Sequence, residues 1–143
     1  MTKSIQHKLV FKQAPAEVWE YLTKADLLEL WLMKNDFQPI VGHQFNFRSG
    51  PLPQFDFDGI FYGTVLEIIP FKKLTYALKG GTGGGRISLD SVVEWTLHPT
   101  AEGTELQLVH SGFKELENFM IFAAMNDGWF KNMHKIAELL NSK

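Results

Sequence analysis

The sequence predicts an α+β fold: a curved antiparallel sheet of six to seven strands wrapped around one long C-terminal helix, with two short helices after the first strand. Three observations predict it. From about Leu116 to Asn141, residues Phe119, Phe122, Met125, Trp129, Met133, Ile136 and Leu140 recur at three- and four-residue spacing. That stripe is broader than a lone surface helix carries, and it needs a partner. Most of what precedes it alternates in the strand manner, so the partner is a sheet. Glycines inside the strand-like runs supply the bulges or bends a sheet needs to curve around a helix.

Each element follows from local chemistry. Ser4 to Lys12 alternates, with Ile5, Leu9 and Phe11 on one parity. Ala14-Pro15-Ala16-Glu17 opens a helix, since proline fits the first turn and Glu17 suits its positive end. Val18, Trp19, Tyr21 and Leu22 are its apolar residues. A second short helix is expected from Ala25 to Leu32, with Asp26 near its start and Leu27, Leu30 and Trp31 apolar. Neither is long enough to stand without a sheet beneath it.

From Phe37 the pattern is strand and turn. Gly42 to Phe47 alternates cleanly, and Ser49-Gly50-Pro51-Leu52-Pro53 reads as a turn. Phe55 to Ile69 is a long strand with Gly59 and Gly63 inside it. Pro70 to Lys73 turns the chain into Leu74 to Leu78, and the Gly80–Gly85 segment leads to a strand from Ser88 to His98. A turn at Pro99 to Gly103 precedes the last strand, Thr104 to His110, after which Ser111 and Gly112 form a turn. Gly128, inside the long helix, is expected to let a neighbouring segment approach closely.

Composition narrows the function. A chain of 143 residues suits a single domain that buries about two-thirds of its unfolded surface. Net charge is −2, and Arg48 and Arg86 are the two arginines, so the electrostatic footprint of a nucleic-acid binder is missing. The absence of cysteine removes thiolate catalysis, disulfides and cysteine-based metal sites, and suits a reducing cytoplasm. The first residues, Met1 to Ile5, carry no apolar signal core, and no membrane-length apolar run occurs. A soluble cytoplasmic protein without membrane insertion is expected.

The glycine-rich segment does not read as a phosphate loop. It lacks a Gly-Lys-Ser/Thr ending, has Arg86 where a third fingerprint glycine would fall, and joins two strands without opening a helix. It reads as a hairpin loop. His7, His43, His98, His110 and His134 show no paired ligand spacing, so neither a metal nor a cofactor is expected. Ser111 and His110 point to opposite strand faces and cannot couple as nucleophile and base. Glu67 and Glu94 suggest no carboxylate pair, and no catalytic residue is assigned.

His110 shares parity with Leu106 and Leu108 and should face the interior. Two readings stand: a polar contact or base for a ligand, or a structural histidine bonded to backbone or a helix residue. Phe122, Met125, Trp129 and Met133 lie on the inward helical stripe opposite Trp95 and Tyr76, and Asn126 is a candidate to reach between them. With Trp31, Phe45, Phe47 and His110 these residues form the expected wall of an apolar cavity between sheet and helix. Twelve Phe, four Trp and three Tyr supply rings for both a core and a pocket.

Several local patterns carry a resemblance: Ala14-Pro15-Ala16-Glu17-Val18-Trp19, Leu30-Trp31, Gly42 with Phe45 and Phe47, and Gly63-Thr64-Val65-Leu66-Glu67-Ile68. Leu74-Thr75-Tyr76, Val93 to Leu97, Gly103 to Phe113 and Gly128-Trp129 continue it over nearly the whole chain. In this order they resemble the START-like (SRPBCC) superfamily, which shares the helix-grip fold. The chain is most similar to the bacterial family related to the C-terminal domain of the activator of heat-shock protein 90 ATPase. The resemblance implies a seven-stranded antiparallel sheet gripping the last helix, with the two short helices closing one end. Members of the superfamily carry lipids, bind hormones and antibiotics, cyclise polyketides or bind proteins, so fold alone leaves the function open. The leading reading is a binding protein for a small hydrophobic or aromatic ligand. A chaperone-related protein-interaction domain is the second, and a cyclase- or hydrolase-type enzyme using His110 or Asn126 the third.

Overall fold

A computed structural model of the chain describes residues 2–49, 57–81, 87–114 and 118–142. The turn expected at Ser49–Pro53 beyond Ser49 itself, the first residues of the strand expected from Phe55, most of the glycine-rich loop and the helix start expected at Leu116 lie outside these residues.

The described elements are β1 (Thr2–Phe11), α1 (Pro15–Thr23), α2 (Ala25–Trp31), β2 (Lys34–Asn35), β3 (Gln44–Arg48), β4 (Ile60–Ile69), β5 (Lys73–Gly80), β6 (Leu89–Pro99), β7 (Thr104–Lys114) and α3 (Phe119–Asn141). The strands form a seven-stranded sheet in the order β1-β7-β6-β5-β4-β3-β2, with every described pairing antiparallel. The fold class is therefore α+β, with the long helix at the C-terminal end and two short helices after the first strand. The two-residue β2, which pairs Lys34 with Arg48, gave no alternation for a sequence reading to detect.

Alternation sets the core. Ile5, Phe45, Phe47, Phe61, Val65, Leu74, Tyr76, Leu78, Val93, Trp95, Leu97, Leu106 and Leu108 are buried on one sheet face. α3 meets them with Trp129, Met133, Ile136 and Leu140. Proline at the first turn and Glu17 begin α1, as the sequence predicts, and Val18, Trp19, Tyr21 and Leu22 bury its inner side. The Trp31 indole N–H donates to the Tyr21 carbonyl at 2.7 Å, tying α2 to α1.

Of the two glycines expected to bend the long strand from Phe55, Gly59 stands at a bend just before β4 with φ +90°, and Gly63 does not mark the bulge. β4 shifts register between Val65 and Glu67, whereas Gly63 lies in regular pairing with Leu78. Gly63 serves a close approach: a Cβ there would fall within the Phe45 ring. Ser111 and Gly112 are strand residues and not a turn; β1 and β7 change register beside them, and Gly112 has φ +105°, a conformation that suits glycine. Gly128 is also corrected, because a Cβ there would meet nothing within 4 Å. The entry to α3 is fixed by Asn118, whose Oδ1 accepts from the Lys114 N–H at 2.7 Å and whose amide donates to the Ser88 carbonyl at 2.9 Å.

Candidate functional site

The residues expected to wall a central cavity mostly fill it. Trp31, Phe45, Phe47, Tyr76 and Trp95 are all buried and interlock edge to face. Trp31 and Trp95 lie 6.0 Å apart, and Trp95 and Trp129 lie 5.5 Å apart. Phe45 packs on Phe47 at 5.1 Å and on Tyr76 at 5.3 Å. Such perpendicular contacts satisfy the ring quadrupoles and leave little space between rings. The Trp95 indole N–H donates to the Tyr76 hydroxyl at 3.2 Å, and burial pushes that phenol's pKa upward.

His110 is buried where β7 meets α3, and both ring nitrogens have protein partners. The Trp129 indole N–H, a donor only, reaches Nδ1 at 2.9 Å, so Nδ1 is the bare nitrogen. Ser91 Oγ lies 2.8 Å from Nε2 and gives its own proton to the Leu78 carbonyl at 2.7 Å. The chain of donors therefore fixes the neutral tautomer with the proton on Nε2. Burial lowers the imidazole pKa to about 3, so the ring stays neutral at ordinary pH. This arrangement matches the structural reading of His110, with a helix residue as one partner. It offers a substrate no free nitrogen.

Open space lies to one side of this aromatic core. An apolar hollow of about 200 Å3 runs beneath the first half of α3. Ile121, Ala124, Met125, Gly128, Trp129 and Asn132 form its helical wall. Phe57 and Phe61 form the sheet side, and Leu32, Met33 and Ser49 complete it. No ionisable side chain stands among these lining residues. Ser49 Oγ is directed at the Gly59 carbonyl, at 3.4 Å. A polar groove of about 390 Å3 occupies the outer sheet face between Asp36, Gln44, Asn46, Tyr62, Thr64 and Lys79, where outward residues of a half-exposed sheet are normally polar.

Of the residues singled out by sequence, Met125 and Trp129 line the hollow. Phe122 packs on Phe113 at 5.2 Å with the Lys3 ammonium 5.6 Å from its ring, and Met133 is buried. Asn126 does not reach the interior: it is exposed, because it follows Met125 by about a hundred degrees of helix turn. Its carbonyl instead lies 3.1 Å from His7 Nε2. Sequence reasoning missed Ile121, Gly128 and Asn132, although they stand at helical spacing from Met125, and Ala124, which borders that face one residue before it. Phe57 and Phe61 pack together, ring centroids 4.5 Å apart, beside Gly80, where a Cβ would come within 3.1 Å of Phe57 and 3.3 Å of Phe61. Glu67 and Glu94 lie on the outer face at 2.9 and 4.0 Å from Lys73, away from the hollow. Among the described residues, no three His, Asp or Glu side chains converge as metal ligands, and no helix is long and apolar enough to cross a membrane.

The model of one family, described as Activator of Hsp90 ATPase homolog 1-like protein, matches residues 12–141. Among solved structures, protein MLL2253 from Mesorhizobium loti is similar at 31% identity and a TM-score of 0.86, over 99% of this chain and 98% of that one. The Aha1 dimer from Colwellia psychrerythraea is similar at 22% identity and a TM-score of 0.76, over 95% and 94%. DynU16, from the dynemicin biosynthetic locus, reaches a TM-score of 0.76 at 20% identity, over 96% of this chain and 47% of its own. The last two likenesses are of fold alone. No curated protein matches the chain.

Proposed function

The chain belongs to the family of Activator of Hsp90 ATPase homolog 1-like proteins, and from that premise we propose that it binds a small hydrophobic or aromatic molecule in the hollow beneath α3. One observation carries the reading: apolar side chains from three separate parts of the chain converge on unfilled space beside a tightly packed core. Met33 and Met125 can adapt the wall to a ligand, while Phe57, Phe61 and Trp129 offer rings for edge contacts. His110 contributes by holding Trp129 and not by chemistry. The reading therefore contains no catalytic step.

The test is direct. Aromatic and lipid probes are titrated into the protein while melting temperature and the methyl signals of Met33 and Met125 are followed. A ligand for the folded state raises the melting temperature with concentration. A panel that leaves both the melting temperature and those methyl signals unmoved sinks the reading.

A second reading, a protein-interaction role in keeping with the family's description, draws on exposed apolar residues. Val41 and Leu66 flank the Gly42-to-Val65 backbone hydrogen bond, and Ile69 and Phe71 lie at the turn that follows β4. Each of the four is exposed, and apolar side chains left in solvent are what a protein contact would cover. Stimulation of Hsp90 ATPase that is lost on Phe71→Ser and Val41→Ser would support this role, and no stimulation would remove it.

A further inference from the structure

Resting on the ligand-binding reading of the hollow, we infer that the part of the molecule it encloses is neutral and about one ring in size, with a single hydrogen-bonding group. Gly128 sets the size limit and Asn132 reads the polar group.

Size follows from the volume. A dry apolar cavity of roughly 150 Å3 accepts one benzene ring, and drug-sized ligands occupy roughly 300–1,000 Å3. The hollow, at about 200 Å3, falls near the lower figure, and because it opens to solvent on one side that figure limits the part of a ligand held inside. Gly128 contributes to that space. It lines the hollow from inside a helix, a position that disfavours glycine, and a Cβ there would meet nothing within 4 Å. Any larger side chain would take up room that a ligand needs.

Charge follows from the lining. A carboxylate or ammonium group placed inside the hollow would lose hydration against walls that hold no ionisable partner. The polar side chains at the wall are few and differ in availability. The Trp129 N–H is committed to His110, and Ser49 is directed at the Gly59 carbonyl. Asn132 is half-buried, and among the described residues its amide has no hydrogen-bond partner. An amide can donate to a ketone or accept from a hydroxyl, so one such group on the ligand is matched.

Isothermal titration of the full chain with p-cresol, toluene, benzoate and palmitate tests both limits. Toluene, which keeps the shape of p-cresol without its hydroxyl, should bind about fivefold more weakly, the loss of one hydrogen bond. Asn132→Leu should erase that difference. Benzoate, whose charge sits directly on the ring, should bind at least about tenfold more weakly than p-cresol, and palmitate should gain nothing from the chain length that the hollow does not enclose. Gly128→Leu should weaken p-cresol and toluene alike by at least about tenfold, with the helical circular dichroism kept. Gly128→Ala, which adds one methyl, should weaken them less and serves if the leucine variant fails to fold. Benzoate binding as tightly as p-cresol, or palmitate binding more tightly than p-cresol, with displacement by Gly128→Leu, would overturn this inference while leaving the hollow a binding site. Binding of no probe, or binding indifferent to both Gly128 variants, would overturn the site itself.

Discussion

Trp129 tests the packing and the site together. Its ring is 4% exposed, packs edge-on against Trp95 at 5.5 Å, donates to His110 and borders the hollow. Truncation to alanine removes a buried indole, a change that typically destabilises by about 3–5 kcal/mol when the site cannot collapse. Collapse is opposed here, because Trp95 is held by Tyr76 and Trp31. The upper end of that range is expected, since His110 Nδ1 also loses its donor, worth about 1–3 kcal/mol when a buried acceptor is orphaned. Trp129→Phe separates the two contributions: most ring contact remains and only the donor goes, so about 1–3 kcal/mol should be lost. Lys131→Ala is the control. That residue is exposed and pairs with Asp127 at 2.9 Å, a surface contact worth at most about 0.5 kcal/mol. Urea denaturation measures all three. With a slope of roughly 2 kcal/mol/M, the alanine variant should move the midpoint by about 2 M. Similar small effects at Trp129 and Lys131 would mean that α3 does not bury this face, and the wall of the hollow would go with it.

Three further outcomes follow from the same geometry. Because the His110 pKa is about 3 when folded and ordinary when unfolded, the unfolded state binds the proton more tightly. Stability from this group is complete above about pH 6.5 and should fall on acidification toward pH 3, by up to about 1.4 kcal/mol per pH unit; unfolding curves from pH 7 to 4 check this, and a His110→Gln variant with the same slope would refute it. Gly63→Ala should destabilise by about 1–3 kcal/mol in thermal or chemical melts, because the Phe45 ring cannot yield while Phe37 lies 5.0 Å and Tyr76 5.3 Å away. Hydrogen exchange should be faster from residues 121–128 of α3 than from 133–140, since Ile121, Phe122 and Met125 are only half-buried while Met133, Ile136 and Leu140 are core; uniform protection along the helix would count against that division.

The elements that sequence made legible are those with a long or regular period. The α3 stripe repeats over six turns, and the alternation of Leu106, Leu108 and His110 gave the inward direction of the histidine correctly. The family resemblance then supplied the fold that the comparisons bear out. Less was legible where the outcome depends on residues distant in sequence. Nothing local to His110 names Trp129 or Ser91; the pairing of Val93 with His110 and the docking of α3 bring them together. The position of the hollow was harder still. It depends on which rings interlock and which leave a gap, and Phe45, Tyr76 and Trp95 happen to fill the centre. A stricter helical projection would have preferred Asn132 to Asn126, because seven residues after Met125 returns to the same face and one residue does not.

This division of α3 explains how a small protein can hold a dense core and an unfilled hollow at once. Its second half seats Met133, Ile136 and Leu140 fully against the sheet, which fixes the axis of the helix. Its first half presents smaller residues, Ala124 and Gly128, between Ile121, Met125 and Trp129, and space is left between them and Phe57 and Phe61. The join between the halves is Trp129, held rigidly by a neutral histidine whose other nitrogen is anchored through Ser91 to β5. Fixing that one ring gives the hollow a firm end wall, and the flexible methionines form the sides. On the proposed reading, volume at Gly128 and the adaptable side chain of Met125 would do the selecting, while Met133, Ile136 and Leu140 carry stability away from the hollow.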